Sequence, residues 1–178
     1  MTRQTNDPLL TAANVLLVVF EVILIFSMVM VAIGLGAVLT VQRGEIVAEI
    51  AAEGRAAWTY WGVVAGIAAT IGVLYLSLRF TRELKKIVAS VKSGDPFIED
   101  NAARLARMGW LALAIQGITL LIGFAAAGMG ALTEGFSVDG DGDVSISGEG
   151  IVLVLTLFIL ARIFRMGTTM REELQGTV

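Results

Sequence analysis

The chain has 178 residues, of which 56% are hydrophobic and only 16% are charged, and its formal net charge is −3. Because a typical water-soluble domain carries about 25% charged residues, this composition argues against a soluble protein. The sequence contains no cysteine and no histidine, which excludes disulfides, thiolate metal sites and the side chain that most often acts as a general base.

The hydrophobic residues gather in four blocks along the chain. A helix needs about 20 largely apolar residues to cross a hydrocarbon core of about 30 Å, and residues 12–39, 58–80 and 109–132 meet this requirement. The fourth block, residues 150–167, contains two arginines, whose long side chains can reach toward lipid head groups. The sequence therefore predicts an all-α membrane protein, a four-transmembrane-helix bundle that forms a single integral membrane domain over residues 1–178.

The first block is too long for the hydrophobic region of a signal peptide, so we expect it to stay in the protein as a membrane anchor. It contains one carboxylate, in the stretch LLVVFEVILIF. Glu21 lies about 14 Å along the predicted span, and a charge at such a depth normally faces a partner inside the bundle. Asn14 lies seven residues earlier and shares its helix face. Candidate partners are Gln116 in the third span and Arg162 in the fourth.

Two interpretations of Glu21 stay open. It can be a proton-responsive or cation-responsive site, since an intramembrane acid is a functional hypothesis by default. It can instead be a structural polar clamp, held by an ion pair or kept protonated by desolvation. We favour the clamp, because no second acidic residue lies in any predicted span.

Basic residues are distributed unevenly about the predicted spans. Eleven of the 13 lie before the first span, from the end of the second span to the start of the third, or near the C-terminal end, whereas only Arg43 and Arg55 lie elsewhere. Since lysine and arginine in short loops stay in the cytoplasm, both termini and residues 81–108 are expected inside. The first loop and the acidic loop of residues 133–149 are expected outside.

Small residues recur at helical spacing in two of the spans. The second contains the pattern Gly62-x-x-x-Gly66-x-x-x-Thr70, and the third contains Ala126-x-x-x-Gly130. Such patterns allow close approach of helix backbones. They predict packing within the bundle, and a seam of a homo-oligomer is the alternative.

The segment between the second and third spans is predicted to form a cytoplasmic helical hairpin. A helix continues out of the second span until a turn signal that includes Pro96. Asp100 or Asn101 can then cap a second helix, over residues 102–108, which leads into the third span.

A sequence pattern in this turn is similar to that of a known family. The pattern G-x-P-F-x-x-x-N-x-x-R-L and the tail Glu-Leu-x-Gly-Thr-Val resemble a family of small bacterial four-span inner-membrane proteins, known as a domain of unknown function. The resemblance implies the bacterial cytoplasmic membrane, no assigned catalytic residue, no cofactor, and a small helix-turn-helix transcription regulator as partner. The residues expected to contact a partner are Pro96, Phe97, Asn101, Arg104 and Leu105.

The third loop contains three aspartates at a spacing of two, Asp139, Asp141 and Asp143. A calcium loop opens in this way, but Val144 replaces the required glycine and Glu149 falls one position before the bidentate glutamate. The alternating apolar residues around the Asp-Gly turns favour a short extracytoplasmic β-hairpin. Weak binding of a divalent cation is the alternative.

No phosphate-binding loop, metal-ligand cluster or catalytic pair is evident in the sequence, so an enzyme is not expected. Direct binding of nucleic acid is not expected either. The preferred interpretation is a non-enzymatic scaffold or sensor that contacts a cytoplasmic partner. The alternative is an oligomeric small transporter or channel that uses Glu21.

Overall fold

A computed structural model of the protein describes residues 8–93, 98–128 and 148–175, with side chains up to Arg171. This part of the chain forms five α-helices: α1 (Pro8–Leu39), α2 (Arg43–Ala52), α3 (Trp58–Lys92), α4 (Glu99–Gly128) and α5 (Gly148–Gln175). It contains no β-strand. The β-hairpin predicted near the three aspartates falls on residues that lie outside this description.

Four of the helices, α1, α3, α4 and α5, are long and apolar enough to cross a membrane. Few of their apolar side chains are buried, and some are largely exposed; the exposed fraction is 65% for Phe26 and 69% for Leu121. A water-soluble monomer rarely exposes large contiguous apolar patches. The prediction of four helices able to span a membrane is thereby confirmed.

At the predicted hairpin, helices α3 and α4 extend beyond the apolar blocks of the second and third spans. Helix α3 continues to Lys92, and α4 already begins at Glu99, so the hairpin consists of the ends of two long helices. The predicted cap was wrong, because Asp100 and Asn101 lie in the first turn of α4. The carboxylates of Glu99 and Asp100 interact favourably there with the positive end of the helix dipole.

The first loop contains a short helix, α2, that the sequence analysis did not predict. Its C-terminal end has the hydrogen bonds of a Schellman motif: the N–H of Gly54 donates to the carbonyl of Ala51, and the N–H of Arg55 donates to the carbonyl of Ile50, each over 3.0 Å. Gly54 has a φ of +69°, a conformation that only glycine adopts at little cost.

The helices contribute to two compact units. The first comprises Met1–Ile23, Leu76–Ala114 and Ser147–Val178, and the second comprises Leu24–Tyr75 and Ile115–Ile146. The core of the first unit consists of buried side chains from α4 and α5: Leu105, Met108, Ala112, Leu157 and Ala161. Half-buried α3 side chains such as Phe80 and Leu84 pack against this cluster.

In the second unit, Tyr60 joins three helices. Its hydroxyl donates a 3.1 Å hydrogen bond to the carbonyl of Val38 in α1, and the guanidinium carbon of Arg43 in α2 lies 5.8 Å from the centre of its ring. The ring also packs edge-to-face against Trp61. These contacts tie the start of α3 to α1 and α2.

A glycine outside the predicted small-residue pattern makes a close contact with a neighbouring helix. A Cβ atom added at Gly66 would meet no described atom within 4 Å, whereas one added at Gly109 would lie 3.0 Å from the ring of Phe158. The hydroxyl of Thr70 donates to the carbonyl of Gly66 in its own helix. Close helix approach at a glycine is thus seen between α4 and α5, and Gly130 lies outside the described residues.

Candidate functional site

Glu21 is held by two cations of α3. Its Oε1 atom accepts a 2.9 Å hydrogen bond from Nε of Arg82, and its Oε2 atom accepts a 2.7 Å bond from Nζ of Lys85. The two donors are three residues apart and therefore share one face of α3. The sequence named Gln116 and Arg162 as candidate partners, whereas the structure shows both carboxylate oxygens bound to α3.

This pairing also bears on the depth of Glu21. Arg82 and Lys85 follow the end of the second apolar block, whose last residue is Phe80. From Glu21 to Leu39, helix α1 continues for about 27 Å, close to the thickness of a hydrocarbon core. The geometry therefore supports a position of Glu21 at the edge of the span instead of the mid-membrane position estimated from the sequence.

A second carboxylate, Glu83, binds cations on both sides of the hairpin. Its Oε1 atom accepts a 2.9 Å bond from Nζ of Lys86 in α3, and its Oε2 atom accepts a 3.3 Å bond from Nη1 of Arg107 in α4. Only 7% of its side chain is exposed. Glu83 was not among the predicted site residues, although it is the one acid in the basic stretch of residues 79–92.

Next to these ion pairs lies a groove lined by several charged residues, called here the α3 groove. The residues that line it include Asn14, Arg79, Arg82, Glu83, Lys85 and Lys86. Four of them are cations, and Glu83 and the nearby Glu21 provide two negative charges, so the groove has an excess of two positive charges. Arg79, Arg82 and Lys86 follow one face of α3 at spacings of three and four residues. The α3 groove can attract an anionic partner.

Asn101 fastens the two helices of the hairpin to each other. Its exposed fraction is 0%, its Nδ2 atom donates a 2.6 Å bond to Oγ of Ser90, and its Oδ1 atom accepts a 2.9 Å bond from Nη1 of Arg104. Arg104 also pairs with Asp100. Asn101 thus links the end of α3 to the start of α4.

Two of the residues that were predicted to contact a partner are buried in the structure. Asn101 and Leu105 are buried, so neither side chain is available to a partner, and Arg104 is only half-buried but already bonded within the hairpin. Pro96 and Phe97 lie outside the described residues. Their contact role stays a prediction.

Helix α5 contributes two arginines to a second groove, called here the α5 groove. Arg162 and Arg165 are exposed, and neither guanidinium forms an ion pair or a hydrogen bond with a described residue. The groove is lined by both arginines and by apolar neighbours, among them Ala106, Phe158 and Met166. Arg162 therefore belongs to a site of its own and not to a pair with Glu21.

Asp139, Asp141 and Asp143, the alternative cation site in the third loop, lie outside the described residues. Gln116 is half-buried in α4, within the second unit. Comparison of the chain with models of protein families, with curated proteins and with solved structures finds no match.

Proposed function

We propose that the chain is a non-enzymatic, multi-pass scaffold of the bacterial cytoplasmic membrane. Its α3 groove binds an acidic segment of a soluble cytoplasmic protein, for which a small helix-turn-helix transcription regulator is the leading candidate. The observation that carries this proposal is the excess of positive charge in the groove, which four cations and two carboxylates leave.

Three of the cations of the groove are held in place before a partner arrives. Glu21 fixes Arg82 and Lys85, and Glu83 fixes Lys86. The bond between Asn101 and Ser90 fixes the hairpin that carries them. A partner would lose little side-chain freedom on binding such a surface, and preorganisation of this kind raises affinity.

The uneven distribution of lysine and arginine supports a cytoplasmic position of the groove. Arg79, Arg82, Lys85 and Lys86 lie in the most basic connection of the chain, and such connections stay in the cytoplasm. An acidic protein approaching from that side would be steered by the field of these charges.

The alternative of a transporter or channel required Glu21 to face a polar path. Its two ion pairs with Arg82 and Lys85 support a structural role instead. An ion flux in liposomes that disappears with Glu21→Gln would reverse this preference.

The proposal can be tested by photo-crosslinking of the full chain in lipid nanodiscs. A photoreactive amino acid replaces Ala89, which is exposed in the α3 groove, and the nanodiscs are mixed with a bacterial cytoplasmic fraction. We expect a crosslinked soluble protein whose yield falls when Arg79→Gln and Lys86→Gln are combined, because binding of an acidic segment depends on the groove charges. Glutamine at position 86 keeps a donor for Glu83.

A matched control combines Arg43→Gln with Lys92→Gln, which removes the same amount of charge outside the groove. The crosslinked product should persist in this variant and should weaken at high salt. Crosslinks that the groove substitutions leave unchanged, or crosslinks to lipid alone, would refute the proposal.

A further inference from the structure

The α5 groove lies where helix α5 changes from apolar to cationic. The sequence before this point reads IVLVLTLFIL, and Arg162 and Arg165 follow it directly. Arg162, Arg165 and Thr169 are separated by three and four residues, so they lie along one face of the helix. The end of the groove at Ala106 and Phe158 is apolar, whereas the two arginines and Thr169 lie farther along α5, beside Met166 and Met170.

An aromatic pair from α4 and α5 lies at the apolar end. The ring centres of Trp110 and Phe158 are 5.5 Å apart, with an angle of 79° between their planes. Trp110 is 64% exposed and lies one helical turn from Ala106, which lines the groove. An exposed tryptophan next to an apolar span is typical of the interface between hydrocarbon and head groups.

The two arginines differ in their pairing from four cations of the neighbouring helices. Arg82 and Lys85 bind Glu21, and Lys86 and Arg107 bind Glu83. Arg162 and Arg165 have no carboxylate partner among the residues that the structure describes. Two guanidinium groups on one helix face present paired donors that suit the oxygens of a phosphate.

We propose that the α5 groove binds an anionic phospholipid, whose phosphate contacts Arg162 and Arg165 while an acyl chain lies against Phe158 and Trp110. The groove combines the two chemistries that a lipid requires, since its arginines follow an apolar stretch at Ala106 and Phe158. An acidic peptide would gain the arginines but would leave this apolar end unmatched. The site is separate from the α3 groove and does not depend on the function proposed for it.

The test measures which lipid lies next to Trp110. Trp58→Phe and Trp61→Phe leave Trp110 as the sole tryptophan, since the chain has three. The full-length protein is reconstituted in phosphatidylcholine vesicles, to which phosphatidylglycerol or phosphatidylcholine with brominated acyl chains is added in increasing amounts. Bromine quenches the fluorescence of a nearby tryptophan, so the titration reports local enrichment of each lipid.

An arginine near an anionic membrane surface favours an anionic lipid by roughly fivefold, so two should favour it by about 25-fold. We expect half-maximal quenching at a mole fraction of brominated phosphatidylglycerol lower than that of brominated phosphatidylcholine by about this factor. The combination of Arg162→Gln with Arg165→Gln should bring the two mole fractions close together. Circular dichroism and gel filtration show whether each variant is folded.

Arg43→Gln combined with Arg55→Gln is the matched control, because it removes two arginines elsewhere in the chain. This control should keep the preference for the anionic lipid. Three outcomes would overturn the proposal: equal quenching by both lipids, a preference that survives loss of both groove arginines, or an equal loss in the control, which would indicate net charge alone. Equal quenching by both lipids would favour a soluble acidic partner as the ligand of Arg162 and Arg165.

Discussion

The Nζ atom of Lys85 donates a 2.7 Å hydrogen bond to Oε2 of Glu21, although the two residues are 64 positions apart in the chain. Arg82 completes the arrangement by binding the other oxygen of the same carboxylate. One acid on α1 thus neutralises part of a strongly basic helix end. The three residues fix the axial position of α1 against α3 within the first unit.

Substitution Glu21→Gln should destabilise the protein only slightly. The glutamine can still accept one hydrogen bond, and Arg82 and Lys85 are partly exposed, so the loss of the ion pairs should lower the free energy of unfolding by about 1 kcal/mol or less. The measurement is denaturant unfolding in mixed micelles. A double-mutant cycle with Lys85→Gln should give a non-zero coupling energy, and a coupling of zero would contradict the proposed clamp.

Substitution Asn101→Ala should cost more. It leaves a cavity at a fully buried position and removes the partner of Ser90, and the loss of such a buried hydrogen bond costs roughly 1–3 kcal/mol. Thermal unfolding in detergent checks the result. Ser93→Ala is the control, since Ser93 is exposed just after α3 and its hydroxyl donates to the nearby carbonyl of Ser90, and its effect should stay within about 0.5 kcal/mol. Equal stability of the two variants would show that the hydrogen bond between Asn101 and Ser90 does not stabilise the hairpin.

Substitution Gly109→Leu should disrupt the contact between α4 and α5. Even a Cβ atom at this position would lie 3.0 Å from the Phe158 ring, and overpacking of this kind costs roughly 1–3 kcal/mol. Gly117→Leu in the same helix is the control, because a Cβ there meets no described atom within 4 Å. Combining Gly109→Leu with Phe158→Ala should recover part of the lost stability, as measured by thermal unfolding. If Gly109→Leu is no more destabilising than Gly117→Leu and Phe158→Ala restores no stability, the contact between Gly109 and Phe158 does not contribute to the packing of α4 on α5.

The proposed orientation predicts which ends of the helices face the cytoplasm. Since the chain has no cysteine, single thiols can be introduced without background. A membrane-impermeant maleimide should label Glu53→Cys, at the end of α2, in intact cells. It should label Glu99→Cys, at the start of α4, only after the cells are permeabilised. The reverse pattern would show that the orientation is inverted.

The sequence by itself determined the number of long helices, the extension of α3 beyond its apolar block and the asymmetry of basic residues. These features follow from local composition, since a run of apolar residues in lipid must satisfy its backbone hydrogen bonds as a helix. The cap of α4 and the short helix α2 were missed, because helix ends depend on a few local bonds, such as those around Gly54.

Only the tertiary structure decided which polar residues meet. In lipid, apolar side chains have no preference for the protein interior, so the hydrophobic pattern of a span does not indicate which face is buried. An axial shift of one turn moves a helix by about 5.4 Å, enough to exchange one partner for another. The pairing of Glu21 with Lys85, the burial of Asn101 and the contact of Gly109 with Phe158 therefore arise from the rotation and offset of packed helices.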